Sequence, residues 1–302
     1  MIDVSNKIKT LRTAKATGRI FLSSDIINRI KNKKIEKGDV LETAKISGIL
    51  AAKKNWELIS HCHQIPLDNV SIDFKLEKDH IEITSLVTAI AKTGVEMEAL
   101  TAVSIAALNI YDMVKMYGSE ARITDIRLIE KKGGKSDFKK DLKIKLKAAI
   151  VVCSDSTYQG KREDKSGLII KENLSKYKNI KVKSYKILPD DINMIKNHII
   201  SLANKNIDIV FITGGTGLGP RDVTVEAIRE IADKEIPGIS EAVRSFGQER
   251  TPYSMLSRGI SALIKDSLVI TLPGSSRGVK ESLSALLPYV FHSFYMMRGG
   301  GH

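Results

Sequence analysis

The chain has 302 residues, which is enough for two domains of ordinary size that each bury their own core. Its 42% hydrophobic and 27% charged residues are ordinary for a globular protein. No apolar run reaches the ~18 residues of a membrane helix, and the first residues lack the apolar stretch of a signal peptide. The net charge of +13 comes without a zinc-finger, helix-turn-helix or aromatic-platform signal, so we expect no nucleic-acid partner; the two cysteines exclude a disulfide framework, so we expect a cytoplasmic protein.

Hydrophobic periodicity in the first half predicts helices followed by an antiparallel sheet with a crossing helix. This order indicates an α+β domain of the ferredoxin-like type, which we assign to residues 1–138. The predicted elements are a helix capped at Ser23–Asp25, a helix from Gly38–Asp39 to about Asn55, strands at 70–76 and 81–90, a helix at 95–116 and a strand at 122–129.

Two charged residues, Asp112 and Lys115, lie three apart near the end of the predicted helix at 95–116, where their side chains can meet. The plain interpretation is a surface ion pair, which contributes little to stability. The same helix is apolar on two faces, however, so it could meet another subunit or line a pocket. In a partly buried site, Lys115 could act as a general acid or base.

Two other segments of the first half have polar residues in suggestive patterns. His61-Cys62-His63 could indicate a metal, but a zinc site needs three or four ligands and no second cluster has suitable spacing. Polar loop residues or a substrate-contacting histidine explain this motif better.

Lys92–Glu98 places a glycine and a hydroxyl at a helix start, which suits an anion, although its acidic residues suit the helix dipole without any ligand.

Taken together, the motifs of residues 1–138 resemble the cyclic pyranopterin monophosphate synthase (MoaC) family in order and spacing. The segment KTGVEMEALTA followed by IYD-M-x-K is the most specific of them. Gln64 is a departure, because the family usually has proline after the histidine. The matching segments are Asp3–Ser5, Lys37–Val40, Ala51–Lys53, Cys62-His63, Lys92–Thr101, Ile110–Met113 and Gly133–Ser136.

This resemblance implies conversion of a cyclic dihydro-GTP intermediate to cyclic pyranopterin monophosphate with release of pyrophosphate. It implies no cofactor for this half, and a hexamer with sites at subunit contacts. By the match, Lys37 and Lys115 are the leading catalytic lysines, and Asp112 orients or tunes Lys115. The positions that match substrate-binding residues are Arg12, His63, Glu96, Met97 and Lys131.

A lysine-rich seam at 131–147 joins the two halves, and we assign 139–146 to a linker. It holds eight lysines and two aspartates, so it supplies +6 of the net charge. Binding of nucleic acid or another polyanion by this seam stays open, and its mark would be a steep salt dependence. The remaining charge suits a protein whose ligands are phosphates.

Strand and helix patterns alternate in the second half, residues 147–302, which predicts an α/β domain with a mainly parallel sheet. Ligands of such domains bind at the carboxyl ends of the strands, where the glycine-rich and acidic motifs of this half fall. The predicted strands are 148–152, 182–188, 207–213 and 268–272, and the predicted helices are 166–177, 191–204, 222–232 and 276–287.

The segment Thr213–Thr224, TGGTGLGPRDVT, follows a predicted strand and opens a helix. Its glycines allow close backbone approach to an anion, although a purely structural turn would explain them too. Asp222 lies in this segment and Asp190 ends another strand. The two carboxylates at one sheet edge could hold Mg²⁺, which prefers oxygen ligands and substrate phosphates. Asp190 alone could also be a helix N-cap.

The second half resembles the molybdopterin adenylyltransferase (MogA/MoaB) family, which implies the molybdopterin-binding fold and Mg²⁺-dependent transfer of AMP from ATP to molybdopterin. Asp190 and Asp222 match the acidic residues of that chemistry. The alternative is a molybdopterin-binding or scaffold module without turnover. Both families favour threefold assemblies, so we expect a homo-oligomer. The matching segments are Ser154–Ser156, Asp164–Gly167, Leu188–Asp191, Thr213–Thr224, Pro237–Glu241, Leu256–Arg258 and Leu272–Ser275, and the matching ligand-binding residues are Asp155, Gly215, Thr216 and Ser275.

Overall fold

The computed structural model describes residues 1–118, 120–134, 137–138 and 144–300. The chain divides into two compact units, Met1–Asp137 and Phe138–His302, each with its own hydrophobic core. Most of the linker assigned to 139–146 lies outside the described residues, as do Lys135 and Ser136 of the Gly133–Ser136 motif. Leu146, assigned to that linker, is the first residue of a strand and is 2% exposed.

In its described residues the first unit is a four-stranded antiparallel sheet with helices packed on one face. The strand order β2-β3-β1-β4 and the β-α-β-β-α-β succession confirm the ferredoxin-like α+β prediction. Its elements are β1 (Thr10–Phe21), α1 (Ser24–Lys31), α2 (Val40–Lys53), α3 (Asn55–Leu58), β2 (Asn69–Leu76), β3 (His80–Ala91), α4 (Glu96–Val114), a 3₁₀ turn (Lys115–Tyr117) and β4 (Arg122–Lys132).

Side-chain caps start the first two helices where the sequence predicts them. Ser23 Oγ accepts a hydrogen bond from the amide of Ile26 at 3.4 Å, and Asp39 Oδ1 accepts one from the amide of Glu42 at 3.2 Å. These bonds satisfy amides that have no partner within the helix, so α1 and α2 begin directly after the two caps.

Strand β1 was not predicted from the sequence, although it lies at the centre of the sheet between β3 and β4. Its side chains that face the helices include Arg12, Ala14, Ala16 and Ile20, all 9% exposed or less. Alanine and arginine give almost no hydrophobic signal, so the alternation typical of a strand is hidden in this segment.

Helix α4 is the core helix of the first unit. The predicted apolar stripe is Leu100, Val103, Ala107, Ile110 and Val114. The last four are 0% exposed and Leu100 is partly buried against the same core, which confirms the stripe. Within the part of the chain that the structure describes, Glu96–Tyr117 is the one helical segment long and apolar enough to cross a membrane, but half of it is buried inside this unit. Its apolar character is therefore explained by packing against the sheet.

The second unit contains a six-stranded, mostly parallel sheet in its described residues, which confirms the α/β prediction. The order is β6-β5-β7-β10-β9-β8, in which β5, β6, β7 and β10 are parallel and β9 pairs antiparallel with both of its neighbours, β10 and β8. The elements are β5 (Leu146–Cys153), α5 (Asp155–Tyr158), α6 (Ser166–Ser175), β6 (Ile180–Leu188), α7 (Ile192–Asn204), β7 (Ile209–Thr213), α8 (Thr224–Arg229), β8 (Lys234–Glu235), α9 (Pro237–Gln248), a 3₁₀ helix (Pro252–Leu256), β9 (Ser261–Ile264), β10 (Ser267–Leu272), α10 (Ser276–Leu286), a 3₁₀ helix (Tyr289–His292) and α11 (Ser293–Met297).

Candidate active sites

Three charged side chains of the first unit meet at the end of α4. Lys37 Nζ lies 2.8 Å from Asp112 Oδ2, and Lys115 Nζ lies 2.7 Å from Asp112 Oδ1. Lys37 Nζ also donates to the backbone oxygen of Asp112 at 2.8 Å. One carboxylate thus holds two ammonium groups side by side, although Lys37 is 75 residues away in the chain.

We call Lys37 and Lys115, held together by Asp112, the lysine pair. The contacts of this pair determine its electrostatics. Hydrogen bonds from Lys115 and Lys37 lower the pKa of Asp112 from 3.8 to about 2, and the bond to Asp112 raises the pKa of Lys115 above 10.5. Near neutral pH, Asp112 is therefore an anion and Lys115 a cation. In the isolated subunit the side chains of Lys115 and Asp112 are 58% and 56% exposed, which at this level agrees with the plain interpretation of a surface ion pair.

A second group of the expected residues lines an open cleft at the other end of α4. His63, Glu96 and Met97 line this cleft, whose volume is about 580 Å³. Lys131 Nζ lies 3.2 Å from Glu96 Oε1. Arg12 is nearly buried on β1, where its Nε donates to the backbone oxygen of Ala91 at 3.3 Å.

The lysine pair and this cleft are too far apart to form one site within a subunit. Glu96 begins α4 and Asp112 lies in its last turn. Sixteen residues at 1.5 Å each separate them by about 24 Å along the helix axis. The structure therefore collects the expected residues into two groups rather than one.

Sequence patterns missed a buried polar cluster beside the same cleft. Glu98 is 4% exposed and accepts a hydrogen bond from Asn55 Nδ2 at 2.9 Å, while Asn55 Oδ1 accepts one from Thr101 at 2.7 Å. Burial raises the pKa of Glu98. Asn55 and Glu98 are 43 residues apart, so only the fold unites them.

Cys62 also lines the cleft, and burial raises the pKa of its thiol. Among the described residues, no group of three or more histidine, cysteine, aspartate or glutamate side chains is arranged to hold a metal ion. His61-Cys62-His63 therefore has no such set around it in the part of the chain that the structure describes.

In the second unit, Asp190, Gly215, Asp222 and Ser275 line a cleft of about 330 Å³ at the carboxyl ends of the parallel strands. The structure thus brings together four expected residues from three separate segments. Thr216 is 5% exposed, and its backbone oxygen accepts a hydrogen bond from the amide of Arg258 at 3.0 Å. We name this opening the acidic cleft.

Two glycines shape the loop that borders the acidic cleft. Gly214 and Gly215 have φ of 99° and 65°, a region that favours glycine. A Cβ on Gly214 would lie 2.1 Å from the backbone oxygen of Cys153, and one on Gly215 would lie 2.2 Å from Thr224 Oγ1. Side chains at these positions would push the loop away from the strand ends.

Asp190 is not the helix cap that its position could suggest. Asp191 caps α7, because its Oδ1 accepts a hydrogen bond from the amide of Met194 at 2.8 Å. Asp190 lines the acidic cleft instead. Burial raises its pKa, and the negative charges of Asp155 and Asp222 act in the same direction.

Asp222 lies just before the helix that it was predicted to begin. Helix α8 starts at Thr224, and Asp222 Oδ2 accepts a hydrogen bond from the amide of Gly219 at 2.8 Å. Asp155, the remaining expected residue, is paired with Arg221 through contacts of 2.8–3.0 Å. This pair lowers the pKa of Asp155.

Arg258 is a residue of the site whose role the sequence did not reveal. Its Nε donates to the backbone oxygen of Gly217 and its Nη2 to that of Asp222, both at 2.6 Å, while Nη1 bonds the carboxylate of Glu226. One guanidinium thus ties the glycine loop to α8. Gly217 is 41 residues away, so the sequence motif around Arg258 could not show what it contacts.

The residues of the acidic cleft suit a divalent cation. Asp190 and Asp222 supply carboxylate oxygens, the ligands that Mg²⁺ prefers. Asp190 Oδ1 is buried and makes no hydrogen bond with the described residues, and the same is true of Thr224 Oγ1. Buried polar atoms of this kind normally have a partner, so an oxygen-seeking ion is consistent with them.

Comparisons with known proteins divide the chain in the same way. The MoaC family matches residues 1–134, and the family described as probable molybdopterin binding domain matches residues 149–292. A molybdenum cofactor biosynthesis bifunctional protein of Chlorobaculum tepidum is 40% identical over 302 residues, covering 100% of this chain and 96% of its own. A cyclic pyranopterin monophosphate synthase of Aquifex aeolicus is 50% identical over 137 residues, which are 45% of this chain and 54% of that protein. The crystal structure of MoaB from Thermus thermophilus covers 51% of this chain and 97% of its own, with 38% identity and a TM-score of 0.49.

Proposed function

Because the chain belongs to the family of bifunctional molybdenum cofactor biosynthesis proteins, we propose that its two halves catalyse two separate steps of that synthesis. The first half converts a cyclic dihydro-GTP intermediate to cyclic pyranopterin monophosphate and releases pyrophosphate. The second half transfers AMP from ATP to molybdopterin. Two free cysteines are consistent with work in the cytoplasm.

The lysine pair carries the proposal for the first half. Its substrate has a triphosphate, and two ammonium groups fixed by one carboxylate can offset the charge of the departing pyrophosphate. The pKa of Lys115 lies above 10.5, so this lysine is protonated near neutral pH and has a proton to donate, while its bond to Asp112 fixes its position. Lys37 supplies the second cation, and its bond to Asp112 fixes its position.

The separation of about 24 Å along α4 supports an active site shared between subunits. In this proposal the lysine pair of one subunit faces the cleft with His63, Glu96 and Met97 of another, within a threefold or hexameric homo-oligomer. The sheet face away from the helices is consistent with a partner, because Leu11 and Ile90, paired across β1 and β3, are 59% and 57% exposed.

Subunit mixing tests this shared site. Lys115→Ala removes the lysine pair, and Glu96→Gln alters the cleft, so each variant alone should be nearly inactive in pyranopterin formation. When the two are dissociated and reassembled together, some contacts unite an intact lysine pair with an intact cleft, and activity should return. A control mixture of Lys115→Ala with Lys37→Ala lacks any intact lysine pair and should stay inactive. Equal activity in both mixtures would contradict a shared site.

The proposal for the second half rests on Asp190 and Asp222, which both line the acidic cleft beside the glycine loop. The amides of this loop and the start of α10 at Ser275 attract phosphates. Asp190 and Asp222 would hold Mg²⁺, which neutralises phosphate charge when it is bound. Arg258 keeps the loop and Asp222 in place through its backbone contacts.

The test is direct formation of adenylylated molybdopterin. The purified full-length protein is given ATP, molybdopterin and Mg²⁺, with a parallel sample in which EDTA removes the metal. Product and pyrophosphate should form in the first sample only. Product in both samples would contradict the role of the cation, and product in neither would leave the second half without this activity.

A further inference from the structure

The loop between α5 and α6 brings positive charge to the acidic cleft. We call its residues 161–165, KREDK, the cleft loop. Arg162 and Lys165 line the acidic cleft, and Glu163 between them lines it too. Both cations are exposed, and in the part of the chain that the structure describes neither is paired with a carboxylate. They are therefore available to an anion that enters the cleft.

Asp164 fixes the end of the cleft loop where it meets α6. Its Oδ1 accepts a hydrogen bond from the amide of Gly167 at 2.9 Å, and its Oδ2 accepts one from the hydroxyl of Tyr185. Ser166 adds a second attachment, because its Oγ donates to the backbone oxygen of Gly274 at 2.7 Å. Asp164 thus closes the turn into α6, and Tyr185 ties this turn to the sheet.

Tyr185 itself is anchored in the sheet. It lies in β6 opposite Ile150 of β5, and its side chain packs against the hydrophobic core below. A Cβ on Gly167 would lie 2.4 Å from the hydroxyl of Tyr185 and equally close to Oδ2 of Asp164, so only glycine leaves room for the two groups to meet. Burial raises the pKa of Tyr185, and the hydrogen bond and charge of Asp164 raise it further, so this hydroxyl remains a donor near neutral pH.

We propose that Tyr185 is a positioning residue of the second half: through Asp164 it holds the cleft loop so that Arg162 and Lys165 take the pyrophosphate that leaves ATP. The proposal rests on the adenylyl transfer proposed above. In that transfer a phosphate oxygen of molybdopterin bonds to the α-phosphorus of ATP, and the bond from this phosphorus to the oxygen bridging to the β-phosphorus breaks. Pyrophosphate leaves with the bridging oxygen and the electron pair. Cations on a loop that is already fixed can offset this charge as it develops.

Binding of inorganic pyrophosphate and of AMP to the full-length protein tests the proposal without turnover. The first half also handles pyrophosphate, so all variants are made in a Lys37→Ala background. Tyr185→Phe removes a hydrogen bond to a charged group, which should weaken pyrophosphate binding about tenfold. The affinity for AMP should stay unchanged, because AMP has no phosphates beyond the α-phosphate.

Tyr177→Phe is the matched control for Tyr185→Phe. Tyr177 is also partly buried against the core, but it precedes β6 at the end of the strand away from the cleft, where its ring packs on Phe291. This variant should leave both affinities unchanged. The two phenylalanine variants should have similar melting temperatures, so a loss confined to Tyr185→Phe is not a loss of folding.

A double variant tests whether Tyr185 acts through the cleft loop. Arg162→Gln should by itself weaken pyrophosphate binding about tenfold, whereas Lys161→Gln, at an exposed position outside the lining of the cleft, should not. Tyr185→Phe with Arg162→Gln should bind little more weakly than either single variant, because Arg162 contributes only while the loop is held. Losses that multiply in full would overturn the positioning role.

Equal pyrophosphate binding by Tyr185→Phe and its parent would also overturn the proposal, as would equal losses for pyrophosphate and AMP or a parent that binds no pyrophosphate. The same Tyr185→Phe substitution in the otherwise wild-type chain should slow adenylyl transfer and leave pyranopterin formation unchanged. Pyrophosphate binding that depends on Tyr185 in a protein that forms no adenylylated molybdopterin would refute the proposed function alone.

Discussion

Asp155 and Asp190 hold each other through reciprocal hydrogen bonds: the amide of Asp155 donates to Oδ2 of Asp190, and the amide of Asp190 donates to Oδ1 of Asp155, both at 3.0 Å. The two residues follow β5 and β6, so this exchange joins the ends of neighbouring strands. It also turns Oδ1 of Asp190 inward, towards Gly215. The carboxylate that we place in the chemistry is therefore fixed by the backbone before any ligand binds.

Lys115→Ala should abolish pyranopterin formation without harming the fold. The side chain of Lys115 is 58% exposed, so its truncation should leave the free energy of unfolding close to that of wild type. Loss of the proton donor should reduce the rate by about 10² or more. The measurements are product formation and thermal unfolding, with exposed Lys31→Ala as the control. Turnover close to wild type would remove Lys115 from the mechanism.

Asp112→Asn should move the alkaline limb of the pH profile of the first reaction to lower pH. Asp112 raises the pKa of Lys115, so removing its charge lets that pKa fall back towards 10.5, and the required proton is lost sooner as pH rises. The acidic limb should not report Asp112 in wild type, because a group with a pKa of about 2 stays ionised above pH 4. An unshifted alkaline limb would show that Lys115 is not the titrating donor.

The contribution of the Asp112 ion pairs to stability has a defined pH window. The folded-state pKa of this carboxylate is lowered from 3.8 to about 2, so the contribution is complete above pH 3.8 and is lost as pH falls through 2. Thermal unfolding of wild type and Asp112→Asn should therefore show a constant gap above about pH 5 and a gap that closes as pH falls from 3.8 towards 2. A gap that stays unchanged down to pH 2 would contradict the lowered pKa.

Arg258→Lys should slow adenylyl transfer by about 10- to 100-fold, because an ammonium cannot reach the three acceptors that the guanidinium joins. Pyranopterin formation by the first half serves as the internal reference and should not change. Arg229→Lys is the matched control, since Arg229 is 59% exposed and pairs with Glu235 outside the cleft. Equal rates for the two variants would show that the clamp on the loop is dispensable.

Cleavage of the chain inside the seam should release two folded pieces that each keep their own activity. The division into units at Asp137 and Phe138 and the separate hydrophobic cores support this expectation. A protease site engineered near residue 140 allows both reactions to be measured before and after the cut. Precipitation of either piece, or loss of one activity on cleavage, would contradict independent units.

The sequence was sufficient to predict elements with strong periodicity and clear caps. Helix α4 and the parallel strands lie where their apolar residues indicate, and Ser23 and Asp39 cap their helices as expected. Strand β1 could not be found, because Ala14 and Ala16 face the core with little hydrophobic signal.

Sequence patterns could not predict contacts between segments that are distant in the chain. Lys37 was assigned by resemblance to a family, and only the fold shows it bonded to Asp112. The two acidic residues of LPDD differ in role for a local geometric reason, because Asp191 caps α7 and Asp190 does not. The sequence left open whether Lys115 is exposed or partly buried, since a pattern of apolar residues does not reveal where a helix end leaves the core.

The most direct test of two activities in one chain is adenylyl transfer by wild type and Asp222→Asn, with pyranopterin formation measured in the same samples. Asparagine can still accept the bond from the amide of Gly219, so the loop should stay folded while the negative charge is lost. We predict adenylylated molybdopterin from wild type, little or none from the variant, and equal pyranopterin formation in both. Molybdopterin that binds tightly to wild type without being adenylylated, and binds equally to Asp222→Asn, would contradict this account and make the second half a binding module.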